Sequence, residues 1–373
     1  MWCYYFTFAI SIVLAFVLGR KSVDHGVFRL KIDSPRQMAI VMFPIAFSFL
    51  FRWGVGVDAN WYTGSYPQIY RELMRDPTLN YDAELVFSLI TKTFCALRIP
   101  YFWWVFFLGA IYLYAIGKFI YVWSTNVPLS LFLFLVSDMY LVGFGALRQI
   151  LAISFLLLGY CEIRENSHCV RKWKVVIYLL LATLSHTSGI LGVFVFALAF
   201  VRIKFRNLII CMLGFTVASP ITTVILRRVI SLTVYGKKYT DTIYSEGQSA
   251  ETHIVLSFLI LLVSILMHKL IMDENKQNVL WINTALAYYV LMLNSSALIQ
   301  TFRIVYYFTP VVLILVPIIT SVIRKVKTRL ITVWAVVLVC TLMFVNSYHI
   351  GNGKLAFTPY RTVFSHPEFL YRS

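Results

Sequence analysis

Long apolar runs separated by short polar segments recur along the whole chain. Such runs are typical of helices that cross a bilayer, although several are shorter than the ~20 residues that a straight span requires. The pattern predicts an all-α, polytopic integral membrane protein with a single domain over residues 1–373 and about twelve transmembrane helices. The predicted spans are Cys3–Leu18, Met38–Phe51, Tyr101–Val122, Leu129–Val142, Ala146–Tyr160, Trp173–Ser185, Ser188–Val201, Asn207–Leu226, Ile254–His268, Val279–Leu298, Arg303–Ile323 and Leu330–Tyr348.

Charged residues in the short loops predict the orientation of these spans. The positive-inside rule places strongly basic short loops in the cytoplasm, and four loops are of this kind: Arg20–Arg36, Arg164–Lys174, Arg202–Arg206 and Arg324–Arg329. An even number of crossings must then separate consecutive basic loops. We therefore split Trp173–Val201 into a hairpin that turns near His186, and we interpret Glu84–Arg98 as an interfacial or re-entrant helix. Both termini are then expected outside.

This topology leaves two larger segments on the outer side, at residues 52–100 and 227–253. The first is rich in Tyr, Trp and Gly and contains the amphipathic helix expected at Glu84–Arg98. We interpret the first apolar run as a retained helix rather than a signal peptide, because no basic residue precedes it. No internal repeat is evident, which argues against the many transporter folds that are built from repeated halves.

The overall composition excludes a soluble globular enzyme. Of the 373 residues, 60% are hydrophobic and 13% are charged, whereas soluble domains contain about 25% charged residues. The net charge of +17 arises mostly in short loops, so it reports on topology rather than on a nucleic-acid partner. The six cysteines are scattered and predict no disulfide framework.

Four ionisable residues lie inside or at the edge of apolar runs: Arg52, Arg148, His186 and Arg303. Arginine at mid-helix costs roughly 2.5–3.5 kcal/mol on insertion scales, so such residues are functional candidates. The topology, which rests on other charges, places all four on the outer side. Three guanidinium groups there suit an anion with several oxygens, such as a lipid-linked phosphate or pyrophosphate. Snorkelling to the headgroups is the alternative for any single arginine, although it fits Arg148 less well.

Two residues are candidates for a general base. Asp58 follows a glycine-rich turn near Arg52, where a carboxylate could deprotonate a sugar hydroxyl. The neighbouring arginine would weaken it as a base, and a turn Asp that caps a short helix is the alternative. His186 suits proton transfer near neutrality, but a structural hydrogen bond within its turn is the alternative there.

Asp82 and Glu84 form an acidic pair that could bind a divalent cation through oxygen ligands. The alternative is that both residues only begin the helix that follows them, where acidic residues favour the helix dipole. No metal is required if the arginines carry the charge of the leaving group.

Four short motifs, taken in order, resemble those of a known family. They are Phe51-Arg52-Trp53-Gly54-Val55-Gly56-Val57-Asp58 with Tyr62, then Leu147-Arg148-Gln149 followed by Leu151-Ala152, then Ser185-His186-Thr187-Ser188, and finally Phe302-Arg303 with Tyr306-Tyr307. Over roughly residues 50–310 the chain thereby resembles the EpsG family of polysaccharide polymerases, which is akin to the Wzy O-antigen polymerases.

The resemblance implies a GT-C-like membrane glycosyltransferase of the bacterial inner membrane, with its site facing the periplasm or the cell exterior. Donor and acceptor would be undecaprenyl-pyrophosphate-linked oligosaccharides of polysaccharide or lipopolysaccharide biosynthesis. No cofactor is expected, because the lipid pyrophosphate is already an activated donor. A chain-length regulator and a flippase are the protein partners that such a polymerase would have, besides the lipid bilayer.

The resemblance and the charge pattern together suggest roles for individual residues. Arg148 and Arg303 would stabilise the leaving pyrophosphate, with Arg52 in support, and Asp58 or His186 would be the base. Aromatic side chains can stack on sugars and hydrogen-bond to them. The remaining residues expected to bind substrate are Tyr62, Gln149, Tyr235, Tyr239, Tyr306 and Tyr307.

Three alternative functions stay open at this stage. A flippase for the same lipid-linked oligosaccharide would also need cationic residues, but in a central cavity that is reached from both sides. A metal-dependent membrane glycosyltransferase would use Asp82 and Glu84 and would be inhibited by EDTA. An acyltransferase that uses acyl-CoA would need a cytoplasmic histidine, whereas the predicted topology places His186 outside.

Overall fold

The computed structural model of the chain describes residues 2–56, 58, 64–165, 172–232, 251–295, 303–355 and 360–365. These residues are mostly α-helical, with one two-stranded sheet among them. The chain divides into two compact units. The first unit comprises Met1–Asp24, Phe28–Gly192 and Val326–Ser373, and the second comprises His25–Val27 and Val193–Lys325.

The described helices of the first unit pack against one another. They are α1 (Trp2–Leu18), α2 (Pro35–Leu50), α3 (Ser65–Arg75), α4 (Leu85–Ala96), α5 (Tyr101–Trp123), α6 (Val127–Val136), α7 (Asp138–Val142), α8 (Leu147–Glu165), α9 (Lys172–Ser185) and a C-terminal helix, Val326–Leu355. Helix α2 packs on α1 and α5, and α8 packs on α5 and α9. Local signals begin several of them: the Ser34 hydroxyl caps α2 and the Asn126 side chain caps α6.

A cluster of buried aromatic rings forms the part of the core that lies beneath the candidate site. Neighbouring centroids in this cluster are 5.0 to 6.2 Å apart, the range of favourable aromatic contacts. Its members come from α2, α5, α6, α7 and the turn before α8: Phe49, Tyr112, Phe134, Tyr140 and Phe144. The end of α2 and the turn before α8 are therefore fixed to each other.

A β-hairpin lies in the first basic loop, where the sequence predicted only a connection. Strands β1 (Arg20–Asp24) and β2 (Val27–Lys31) pair across a turn at His25 and Gly26, both of which have positive φ. Every residue of β1 is exposed. Without an alternation of apolar and polar residues, β1 carried no strand signal in the sequence.

The second unit is also helical. Its described helices are Gly192–Ala197, which begins at the unit boundary, then Phe205–Ser231, Glu251–Leu266, His268–Glu274, Val279–Leu293 and Pro310–Val322. Partly buried polar side chains link the helix Phe205–Ser231 to the end of the helix Val279–Leu293, because the Thr222 and Thr223 hydroxyls donate to Asn294 Oδ1 at 2.9 and 3.0 Å. Asn283 donates to the carbonyls of Leu198 and Val201.

Several helices have the length and apolarity of membrane spans. Among the described residues three qualify individually: Tyr101–Trp123, Phe205–Ile225 and Val326–Val345. Glu251–Leu266 and His268–Glu274 together form a fourth candidate that is bent by 75°, and further apolar helices of 10 to 17 residues accompany them. The chain is therefore a helical membrane protein, whereas the number of about twelve spans stays a prediction.

The two segments at which the sequence required a topological decision contain short helices. Helix α9 ends at Ser185, and a 3₁₀ helix, Thr187–Leu191, packs back against it. A Cβ added to Gly189 would lie 2.5 Å from the carbonyl oxygen of Ala182, so the return is tight. Helix α4 has 12 residues and is about 18 Å long. Its interfacial or re-entrant position stays a prediction.

Candidate functional site

A short C-terminal segment holds the chain immediately after α2. We call residues 360–365 the C-terminal strap. The backbone N–H of Trp53 donates to the Arg361 carbonyl at 2.8 Å, and the N–H of Val363 donates to the Phe51 carbonyl at 3.0 Å. The Phe364 ring stacks on Phe51 with centroids 5.1 Å apart. The segment that carries Arg52 is therefore clamped by residues more than 300 positions away in the sequence.

Arg52 lies in the protein interior, with 4% of its surface exposed. Its guanidinium donates to the carbonyls of Phe49 and Gly143 and lies 4.3 Å from the centroid of the Phe49 ring and 4.7 Å from that of Phe144. In this position Arg52 joins the end of α2 to the turn before α8. A direct contact of Arg52 with substrate phosphate stays a prediction.

Glu84 is the centre of a cluster that brings three separate segments together. Its Oε1 accepts from the backbone N–H of Thr187 at 2.9 Å and from the Thr187 hydroxyl at 3.2 Å, and lies 2.7 Å from Nδ1 of His186. Its Oε2 lies 3.3 Å from the guanidinium of Arg148. Two of the four residues predicted from the sequence as catalytic, Arg148 and His186, are thus joined through one carboxylate.

Arg148 is the second residue of α8. A cation in the first turn opposes the helix dipole, so helix stability does not explain its position. The carboxylate of Glu84 offsets that charge, and the Tyr66 hydroxyl on α3 lies close enough to Arg148 to interact with it electrostatically. The Arg148 side chain is still 37% exposed, which leaves part of a fork of five N–H donors accessible to an anion.

Glu84 keeps its negative charge in this environment. Burial opposes ionisation, but hydrogen bonds from His186 and from the Thr187 backbone outweigh it and hold the pKa of the carboxyl well below its usual range. Burial raises the pKa of the Tyr66 hydroxyl, and the nearby Arg148 only partly offsets that rise. At neutral pH the cluster therefore contains one carboxylate, one guanidinium and one neutral phenol.

Asp58 lies at the edge of this cluster. A Cβ added to Gly145 would lie 3.8 Å from Asp58 Oδ2, and the charge of Asp58 acts on Tyr66, the residue that also contacts Arg148. Both candidate bases, Asp58 and His186, thus remain near the candidate anion site. The positions of Asp58 and His186 alone do not show which of them is the base.

The other predicted residues lie elsewhere. Gln149 is 3% exposed, and Arg303, Tyr306 and Tyr307 belong to the second unit, where Arg303 is exposed and Tyr307 is buried. Tyr62, Tyr235 and Tyr239 lie outside the described residues. The substrate-binding roles of all these residues stay predictions.

Glu84 is the functional candidate that the sequence did not identify. From the sequence alone, Glu84 is a candidate only as half of an acidic pair with Asp82 or as a residue that begins a helix. The structure shows no cluster of three or more His, Cys, Asp or Glu suited to a metal within the described residues, and Glu84 is engaged by Arg148 and His186. Its role in the site depends on Arg148 and His186, which lie 64 and 102 positions away in the sequence. The periodicity of the sequence cannot reveal such contacts.

These features define a helical membrane protein with a partly open polar cluster of Arg148, Glu84 and His186. The EpsG family model matches residues 36–362, and the chain belongs to the EpsG family, whose members are Wzy-like polymerases. This match confirms the resemblance carried by the four motifs. No curated protein matches the chain, and no solved structure matches it.

Proposed function

We propose that the chain is a polysaccharide polymerase that transfers a growing glycan from undecaprenyl pyrophosphate to a hydroxyl of an incoming lipid-linked repeat unit. The observation that carries this proposal is the joining of Arg148, Glu84 and His186 in one partly exposed cluster. Family membership supports the polymerase class. The predicted topology would place the cluster at the outer face of the inner membrane.

The reaction breaks the bond between the anomeric carbon of the donor sugar and the pyrophosphate oxygen, and the electron pair stays on that oxygen. The accessible N–H groups of Arg148 would stabilise the developing charge, as fixed donors do in sites that exclude water. Arg303 remains the second cation expected from the motifs. The acceptor hydroxyl loses its proton to a base, Asp58 or His186, as it attacks the anomeric carbon.

The surface glycan of a deletion strain tests the proposed function. The strain is complemented with wild-type protein, with Arg148→Ala or with Arg164→Ala, and membrane levels are compared by immunoblot. Arg164 is a matched control because it lies at the other end of the same helix, where its guanidinium is 4.9 Å from the centroid of the Trp123 ring. We expect single repeat units on the surface for the deletion and for Arg148→Ala, and long chains for Arg164→Ala.

The same experiment separates polymerisation from transport. If the deletion abolishes every surface repeat unit, the protein acts before or during export, and the flippase function replaces the polymerase. If Arg148→Ala gives long chains at normal protein level, the anion role of Arg148 is wrong. Sensitivity of the wild-type activity to EDTA would instead favour a metal-dependent glycosyltransferase.

A further inference from the structure

The position of Glu84 is unusual for the residue that precedes a helix. Glu84 is the N-cap residue of α4, yet its side chain makes no capping hydrogen bond to that helix. Its two oxygens instead receive contacts from Arg148 on α8 and from the turn after α9. With 16% of its side chain exposed, this carboxylate is held by distant segments rather than by its own helix.

The contacts of Glu84 define the proton position on His186. An ionised carboxylate only accepts hydrogen bonds, and the donors from Arg148 and Thr187 keep Glu84 in that form. Nδ1 of His186, 2.7 Å from Oε1, must therefore carry a proton. In the neutral ring the lone pair is then on Nε2. We propose that Glu84 is a positioning residue that holds His186 in this tautomer, so that Nε2 is the base for the acceptor hydroxyl. This proposal rests on the polymerase function proposed above.

This inference distinguishes His186 from Asp58. A carboxylate behind the imidazole stabilises the imidazolium that forms when Nε2 takes a proton, as in other histidine–carboxylate pairs. Asp58 lies near Tyr66, and imidazole is closer than a carboxylate to the proton affinity that suits a general base near neutral pH. Asp58 is thus left with a role at the edge of the site, and His186 takes the proton.

The proposed step transfers one proton, forms one bond and breaks one bond. The acceptor oxygen gives its proton to Nε2 of His186 and forms the new bond to the anomeric carbon. The old bond to pyrophosphate breaks with its electron pair on the departing oxygen. The resulting imidazolium is paired with Glu84 and then releases its proton to water, which restores the neutral ring.

The tautomer of His186 can be measured without any assay of activity. Full-length protein with ¹⁵N-labelled histidine is placed in nanodiscs at about pH 9, where an unperturbed imidazole is neutral. The His186 signals are identified by their loss in His186→Asn. We expect wild-type His186 to have a protonated Nδ1 and a bare Nε2, and Glu84→Gln to gain the form protonated on Nε2, because an amide can donate to Nδ1. Protonation of wild-type His186 mainly on Nε2, or an unchanged tautomer in Glu84→Gln, overturns the proposal.

Kinetics with a lipid-linked repeat unit provide the second readout. We expect Glu84→Gln to lower kcat by about 10²-fold or more, the contribution typical of a general base, and to change KM for the acceptor little. The control is Glu162→Gln, since Glu162 is also a buried carboxylate paired with a cation, Lys174, at 3.4 Å. It should leave both the His186 tautomer and kcat near wild type.

The outcomes separate the two proposals. If the wild-type protein polymerises and Glu84→Gln keeps its kcat, the positioning role is wrong and the polymerase function stands. If the wild-type protein does not polymerise, the function proposal fails, and the tautomer of wild-type His186 still decides whether Glu84 fixes the ring.

Discussion

Two glycines in the segment after Arg52 differ in what surrounds them. Gly54 and Gly56 both have positive φ, at +58° and +93°. A Cβ on Gly56 would lie 2.7 Å from the carbonyl oxygen of Phe144, whereas a Cβ on Gly54 would meet nothing within 4 Å. We expect Gly54→Ala to cost about 1–2 kcal/mol, the usual penalty for the left-handed region, and Gly56→Ala to cost clearly more. Thermal unfolding of the two variants in detergent measures the difference, and equal effects would contradict the close approach to Phe144.

The charge on Glu84 predicts an acid dependence of stability. Its pKa is lowered on folding, so the stability that it contributes is present above the unfolded value of about 4.3 and is lost as the pH falls through the folded value. The apparent Tm of the wild type minus that of Glu84→Gln should thus shrink as the pH falls below about 4.3. A difference that grows as the pH falls below that value would show that Glu84 is not held as a carboxylate.

At the residue scale the sequence identified Arg148 and His186, because a charged residue in an apolar run is costly enough to require a reason. It could not identify Glu84, because an acidic residue in a polar loop is common and gives no signal of function. It also gave no sign that Arg52 points inward to Phe49 and Gly143. Both facts depend on which segments meet in three dimensions.

The C-terminal strap is the element whose loss should be most informative. It contributes backbone hydrogen bonds to Phe51 and Trp53, and the Tyr360 hydroxyl donates to the Ser48 carbonyl at 2.8 Å. We expect deletion of residues 360–373 to lower the apparent Tm and to abolish polymerisation, since the segment beside Arg52 loses its clamp. Deletion of residues 366–373 is the control, and the difference between the two deletions is the contribution of the strap. Full activity after the longer deletion would show that the strap is dispensable.

The predicted helices agree with the structure where an apolar run is long and has clear polar boundaries. Helix α5 begins at Tyr101 as predicted and ends one residue beyond the prediction, at Trp123. The predicted span Leu129–Val142 is instead two helices, α6 and α7, which are separated at Ser137. Helix α3, with a buried face of Tyr66, Pro67, Tyr70 and Leu73, was missed because its surface is largely polar. Hydropathy detects spans better than it detects amphipathic helices at an interface.

At the scale of the whole molecule, the charges of the loops predict the orientation in the membrane. The positive-inside rule predicts that the turn at His186 is outside and that the basic loops are inside. Reporter fusions ending after Ser188 and after Arg206 should therefore report opposite sides, external and cytoplasmic. A cytoplasmic report from the Ser188 fusion would contradict an outward-facing site and would restore the acyltransferase alternative.

We propose that the cluster around Arg148 polymerises lipid-linked repeat units. The most direct measurement uses purified protein in liposomes with a defined undecaprenyl-pyrophosphate-linked repeat unit, and counts repeat units per lipid by mass spectrometry. We predict products of two or more units for the wild type and for Arg164→Ala, and a rate lower by about 10²-fold or more for Arg148→Ala, since a charge-stabilising donor is lost. Wild-type protein that yields only single units, or Arg148→Ala at the wild-type rate, would contradict the account.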